Sequence, residues 1–158
     1  PVELSGNPEK ADDVESEHAL ADLVEPWIDQ SNGRCQTATV AGTALEAVAA
    51  LGPPNAATAE LEPGQALALM AWTAASGGAH GRRRGAAAGR YLAWWVVATL
   101  ADIVWPPDDH DAIGEAVERL RWHWFDDGSP PGGWALRLAV EDPSLGMAWA
   151  ISANDVAD

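Results

Sequence analysis

Apolar positions recur at helical spacing through most of this chain and switch to strand-like alternation near its C-terminus. One helix face is predicted early in the chain by apolar residues three and four apart: Ala19, Leu20, Leu23, Val24 and Trp27. Asn7 suits the N-cap of this helix and Pro8 suits its first turn, where a missing N–H costs nothing. We therefore expect residues 1–31 to form an acidic N-terminal helix.

The next segments predict a strand, a helix, a strand and a second helix. Residues 35–40 favour a strand, and Thr43 with Glu46 forms a capping-box pattern at the start of a helix. A short strand at about 58–61 precedes a helix that begins at Pro63. Two short strands on either side of a helix predict a parallel pair joined by a right-handed crossover.

A long helix is predicted at about 83–104, because its residues are apolar almost all round. The apolar set is Tyr91, Leu92, Trp94, Trp95, Val96, Val97, Leu100 and Ile103. Residues 105–107 (Trp-Pro-Pro) break this helix, and Asp108 and Asp109 cap the next one. Such a helix is expected at the centre of the fold.

The C-terminal third predicts a small sheet. Residues 121–125 and 134–141 alternate like strands around the turn-rich segment 126–133, which indicates a hairpin, and a strand is favoured over a last helix at 147–152. We expect one α+β domain over residues 1–158, with a mainly helical body around the long helix and a small mixed sheet that ends in a hairpin or meander.

Composition narrows the class of partner. The chain has 24 acidic residues against nine Lys and Arg, and this net charge of −15 argues against nucleic acid and membranes as partners. The N-terminal residues lack the apolar core of a signal peptide, and the longest uncharged apolar run, 91–101, is far below the ~20 residues of a membrane span. Cys35 is the single cysteine, which fits a reducing compartment. We expect a cytoplasmic protein, and since Pro1 replaces an initiating Met we expect residues before it.

The charges are strongly segregated. Residues 63–101 contain no acid, and their only cations are Arg82, Arg83, Arg84 and Arg90. All four lie within the glycine-rich segment 76–90. A cationic segment in an acidic protein requires a negative partner, which is either the chain's own carboxylates or a bound molecule.

The glycines of this segment suit an anion site. Gly77, Gly78 and Gly81 permit positive φ, so backbone N–H groups can point into one concavity that leads to a helix N-terminus. Arg83 and Arg90, seven residues apart, would share one face of that helix.

Two interpretations of the segment remain open, and the structural one is favoured. In it, the arginines pair with carboxylates of this chain or of a second copy. In the functional one, the segment binds an anion or carboxylate, and His80 serves as a hydrogen-bonding or proton-transfer group. The segment has neither the Gly-Lys-Ser/Thr of a Walker loop nor the preceding strand of a dinucleotide-binding fingerprint.

The segment also carries a resemblance. Residues 71–85, which include Ser-Gly-Gly-Ala-His-Gly-Arg-Arg-Arg-Gly, together with Trp94 and Trp95, resemble an uncharacterised actinobacterial family of unknown function. Residues 134–143 and 148–150 resemble the C-terminal part of the same family. The resemblance covers about residues 34–158 and implies no particular activity.

Other clusters favour structural roles. The acids of 108–111 lie where a helix start requires caps, and Asp126 with Asp127 precedes Gly128 at a predicted turn. The histidines and Cys35 lack zinc spacing, and no cofactor or metal is expected.

Three function hypotheses follow. The first is a non-enzymatic binding or regulatory protein, in which the four arginines engage an acidic protein surface or a second copy. The second is an enzyme or anion-binding protein that holds a phosphate or carboxylate over the Gly77–Gly81 loop, with His80 as acid or base. The third is an immunity-like or nucleic-acid-mimicking inhibitor that uses the acidic surface.

Overall fold

The computed structural model describes residues 2–4, 8–130 and 132–157, and the predicted cap Asn7 lies outside these ranges. The elements follow in chain order: β1 (Val2–Glu3), α1 (Val14–Asp22), α2 (Glu25–Asp29), β2 (Arg34–Ala41), α3 (Ala44–Ala50), β3 (Asn55–Leu61), α4 (Pro63–Ala75), α5 (Ala86–Leu100), α6 (His110–Arg119), β4 (Arg121–Asp126), β5 (Trp134–Asp142) and β6 (Met147–Asp155).

The strands form one antiparallel sheet in the order β1-β3-β4-β5-β6-β2, in which β1 contributes only two residues at one edge. The consecutive strands β4, β5 and β6 are neighbours, so the predicted C-terminal meander is confirmed. The predicted parallel pair is wrong, because β2 and β3 are not neighbours: the three strands of the meander lie between them. The prediction of a mixed sheet is also wrong, since every pair of neighbouring strands is antiparallel.

The sheet lies between two unequal helical layers. The residues of β5 alternate, so that Leu136, Leu138 and Val140 join the core under α1, α2, α4, α5 and α6, whereas Ala139 faces α3. Trp122 and Trp149 are fully buried on the first of these faces. The fold is α+β as predicted, but the prediction of a mainly helical body around one helix is wrong, since the sheet occupies the centre.

The predicted helix at 83–104 is also wrong in length, because α5 spans only Ala86–Leu100. At its start, Gly85 has φ +89°, which is not helical. At its end, Asp102 has φ +55°, and the N–H groups of Asp102 and Ile103 donate to Thr99 O and Ala98 O. This is a Schellman cap with Asp in the position that usually holds Gly.

The prediction of one acidic helix over 1–31 is wrong, because this part contains β1, α1 and α2. Helix α1 begins at Val14, and its N-cap is Asp13, whose side chain accepts from Ser16 N at 3.2 Å. The residues before it run beside the edge strand β2, where Ala11 N donates to Thr39 O at 2.9 Å. This pairing covers the edge of the sheet and prevents a helix from starting at Pro8.

The helix starts predicted at Thr43, Pro63 and Asp109 are confirmed, but Asp108, also predicted as a cap, is not the N-cap of α6. Thr43 precedes α3 and accepts from Glu46 N at 3.3 Å, and Asp109 precedes α6 and accepts from Asp111 N at 2.9 Å. Pro63 is the first residue of α4. None of the helices in the described ranges has the length and apolar character to cross a membrane.

Candidate functional site

The glycine-rich loop after α4 is tethered by the protein's own side chains. Ala79 N donates to Asp155 Oδ2 at 2.6 Å, His80 N donates to Ser31 Oγ at 3.2 Å, and Arg82 N donates to Gln30 Oε1 at 2.8 Å. Within the loop, Gly78 N donates to the Ser76 hydroxyl and Gly81 N to the Gly77 carbonyl. These five amides therefore already have acceptors within the chain.

Asp155 is the centre of this tether. It is fully buried at the end of β6 and also accepts from Ser31 Oγ and Val156 N, each at 3.0 Å. A buried carboxylate is stable only when hydrogen-bond donors surround it, and here the loop supplies one of them. The concavity that the glycines predict thus holds a carboxylate of the chain itself.

Gly78 is required for this approach. Its φ is +70°, and a Cβ atom at this position would collide with Asp155 Oδ2 and lie 3.0 Å from Cδ1 of Trp27. Only a residue without a side chain adopts this conformation without strain and also leaves room for the carboxylate.

Arg84 also has a structural role. Its Nη2 donates to the carbonyls of Asp22 at 2.7 Å and Leu23 at 2.9 Å, and its Nε donates to Ala74 O at 2.8 Å. A weaker ion pair joins its Nη1 to Glu25 Oε2 at 3.8 Å. Burial lowers the pKa of Arg84, and Glu25 opposes this shift. The guanidinium therefore joins the C-terminal ends of α1 and α4 and supplies donors to carbonyls that a helix end leaves unpaired.

The other arginines are free. Arg82, Arg83 and Arg90 are exposed, and their side chains form no hydrogen bond or ion pair with the described residues. The exposed His80 side chain is equally without such a partner. Arg83 lies before the first residue of α5, so the prediction that Arg83 and Arg90 share a helix face is wrong. The structure thus divides the predicted cluster into one half-buried anchor, Arg84, and three free cations.

Arg90 lies in a groove between α4 and α5. The two helices come close at Gly89, where an added Cβ atom would collide with Ala71 O and lie 3.0 Å from Ala75 Cβ. The groove encloses about 490 Å³ and is lined by Leu67, Ala68, Ala71, Trp72, Ala75, Ala86, Arg90, Ala93 and Trp94. We call these nine residues the α4–α5 groove. Trp72 is 53% exposed there, which leaves a large apolar surface in contact with water.

Most of this groove could not be predicted from the sequence. Trp72 and Trp94 were visible as apolar helix residues, but helical spacing alone assigns such residues to the core. The tether through Asp155 gave no local signal, since Ala79 and Asp155 are 76 positions apart.

The weaker clusters have structural roles in the fold. Asp126 accepts from Gly128 N at 2.9 Å and Asp127 from Ser129 N at 3.0 Å, which is the turn chemistry that the sequence predicts. Asp109 caps α6 within the 108–111 cluster. Within the described ranges, no three His, Cys, Asp or Glu side chains are grouped so that they could hold a metal ion.

The fold and these sites define an α+β protein with an acid-free apolar groove and a self-tethered glycine loop. The chain belongs to a protein family of unknown function, DUF6183, whose model matches residues 2–156. The predicted membership in a family of unknown function is confirmed, while the actinobacterial origin and the diagnostic motif stay predictions. No curated protein matches the chain, and no solved structure does.

Proposed function

We propose that this protein is a non-enzymatic binding module whose α4–α5 groove receives an acidic amphipathic helix of a partner protein. The observation that carries the proposal is the pair of Trp72, 53% exposed, and Arg90, which has no partner among the described residues, in one groove. Exposed aromatic residues and arginines are the types that contribute most to protein interfaces.

The shape of the groove supports a helical ligand. Its α4 wall runs from Leu67 to Ala75, a rise of about 12 Å at 1.5 Å per residue. This length matches about two turns of a partner helix, which presents apolar side chains at helical spacing to such grooves. The small residues Ala68, Ala71 and Ala93 leave room for larger side chains of the partner.

The charges support an acidic ligand. Neither α4 nor α5 contains an Asp or Glu, although the whole chain carries a net charge of −15. Arg90 lines the groove, and Arg83 lies three residues before Ala86, where the α5 wall begins. Carboxylates on the flanks of a bound helix would pair with these free cations, whereas a basic helix would meet like charge.

A defined peptide tests the proposal. We expect a labelled amphipathic helical peptide with Leu on one face and Glu on both flanks to bind in fluorescence anisotropy, and the same peptide with Lys in place of Glu to bind more weakly. Trp72→Ala should weaken binding by more than about 10-fold and Arg90→Glu by about 3- to 10-fold. Arg34→Glu is the matched control, because Arg34 is exposed, free of side-chain partners among the described residues and outside the groove.

Two outcomes would overturn the proposal. Equal binding of the Glu and Lys peptides would remove the charge argument. A dimer of the protein alone in sedimentation equilibrium, dissociated by Trp72→Glu, would show that a second copy of this chain occupies the groove.

The other two function hypotheses stay predictions with less support. A phosphate or carboxylate over the Gly77–Gly81 loop would compete with acceptors that the loop amides already have, Asp155 above all. The hypothesis of an immunity-like or nucleic-acid-mimicking inhibitor depends only on the net negative charge of the chain, and this charge does not point to a particular binding site.

A further inference from the structure

A second cavity lies beside the β4–β5 loop, away from the α4–α5 groove. It encloses about 940 Å³, and no residue of α3, α5 or α6 lines it. Its polar lining consists of Gln36, Asp127, Ser129, Arg137, Ser152 and Asn154 together with Asp126. The volume falls within the range of small-molecule sites.

The floor of this cavity is built by the register of three strands. Gln36 of β2 lies opposite Ser152 of β6, and Ser152 lies opposite Arg137 of β5. Residues opposite each other on neighbouring strands share one face of the sheet, so these three side chains form a row. Helix α3 covers part of this face, at Val40, Ala139 and Ala148. It does not cover the row of Gln36, Ser152 and Arg137.

The side chain of Arg137 is largely buried, but its guanidinium has hydrogen-bond donors that lack an acceptor. Its side chain is 19% exposed and its Nε is buried, yet the nearest carboxylate oxygen, Asp127 Oδ1 at 3.3 Å, does not form a hydrogen bond with it. Burial alone would raise the pKa of Asp127, but hydrogen bonds from Ser129 and the charge of Arg137 outweigh it and hold that pKa below its usual range. The cavity therefore contains an ionised pair whose guanidinium has unused donors.

The neighbouring side chains also lack partners. Gln36, Ser152 and Asn154 form no side-chain hydrogen bond with any described residue. Each of them both donates and accepts hydrogen bonds. These side chains therefore suit a ligand that both donates and accepts hydrogen bonds at several closely spaced atoms.

The charges of the lining disfavour an anion. Asp126 and Asp127 outnumber Arg137 there, so a negatively charged ligand would meet net repulsion. A hydroxyl group carries no charge, donates to a carboxylate and accepts from a guanidinium.

From this arrangement we infer that the cavity beside the β4–β5 loop is a binding site for a small neutral polyhydroxylated molecule of the sugar or polyol class. Asp127 accepts a hydrogen bond from one hydroxyl of the ligand, and Arg137 donates a hydrogen bond to the adjacent hydroxyl. Gln36 and Ser152, which lie in one row, orient the sugar ring. The inference is independent of the function proposed for the α4–α5 groove.

Amide NMR spectra of the whole protein test the inference directly. The probes are D-glucose, D-galactose, N-acetyl-D-glucosamine, trehalose and glycerol, with acetate and inorganic phosphate as charged comparisons. We expect at least one sugar or polyol to shift the amide resonances of Gln36, Arg137 and Ser152, and the charged molecules to leave them unchanged. Shifts produced only by a charged probe, or no shift by any neutral probe, would overturn the inference.

Two substitutions then locate the contacts. For the sugar that binds, Ser152→Ala and Asn154→Ala should each weaken binding by about 2- to 10-fold, the effect of one lost hydrogen bond. Asn55→Ala is the matched control, because Asn55 is an exposed strand residue outside the cavity. Wild-type affinity in both cavity variants would show that the sugar binds elsewhere and would overturn the assignment.

Discussion

The tether between Asp155 and the glycine-rich loop makes a quantitative prediction about stability. The substitution Asp155→Ala removes the carboxylate that accepts from Ala79 N, Ser31 Oγ and Val156 N. The substitution keeps the backbone of β6, so its effect reports the tether and not the loss of a strand.

The expected magnitude follows from which donors lose their partners. Ala79 N, bonded at 2.6 Å, loses a charged acceptor, and such a loss costs about 1–3 kcal/mol when the donor stays shielded from water. Ser31 is only half-buried and Val156 is exposed, so their donors regain water at a smaller cost. We expect a decrease of about 2–4 kcal/mol in the free energy of unfolding, against a total of about 5–15 kcal/mol for a domain of this kind.

Urea unfolding followed by tryptophan fluorescence measures this change. With a slope near 2 kcal/mol per M, the midpoint should fall by about 1–2 M. Asp155→Asn should lower the free energy of unfolding by less than Asp155→Ala does, because the amide keeps one oxygen acceptor. The control is Asp29→Ala, which removes an exposed carboxylate from the nearby helix α2 without a side-chain partner among the described residues. If Asp155→Ala unfolds within about 0.5 kcal/mol of the unsubstituted protein, the tether does not stabilise the fold and the reasoning is refuted.

Three further predictions concern Gly78, Arg84 and Cys35. Gly78→Ala should lower the free energy of unfolding by at least about 2 kcal/mol in the same urea assay, because alanine is strained at φ +70° and its Cβ meets Asp155. An unchanged free energy of unfolding would mean that the loop can rearrange. Arg84→Gln should lower the thermal midpoint, whereas Arg83→Gln should leave it unchanged, since only Arg84 holds buried carbonyls; equal effects would contradict the division of the cluster. Burial raises the pKa of Cys35 from 9.0 to about 11, so its thiolate is about 100-fold scarcer at neutral pH than that of an unshifted thiol. Iodoacetamide should therefore label the native protein slowly and the urea-unfolded protein readily, with a native rate that rises as the pH approaches 11.

The local elements of this fold could be predicted from sequence because their signals are local. Thr43, Pro63 and Asp109 mark helix starts by capping chemistry that involves only neighbouring residues. The alternation in β4 and β5 marks a hairpin for the same reason. The ends of α5 could not be predicted, since its Schellman cap uses an Asp at φ +55° where the usual signal is Gly.

The candidate sites depend on contacts between distant parts of the chain. Charge segregation located the arginines, but it could not separate Arg84, which is bound by carbonyls of α1 and α4, from Arg90, which is free. The order of the sheet placed β2 beside β6 and so brought Gln36 next to Ser152. Periodicity fixes the face of a residue within its own strand, but it does not identify the neighbouring strand.

The central claim is that the α4–α5 groove selects its ligand by the charge of Arg90. A charge-swap cycle tests this claim most directly: the affinities of the Glu-flanked and Lys-flanked peptides are measured with the unsubstituted protein and with Arg90→Glu. We predict that the unsubstituted protein prefers the Glu peptide and that Arg90→Glu reverses the preference, because the interaction follows the product of the two charges. A preference that stays the same whichever residue occupies position 90 would contradict the account.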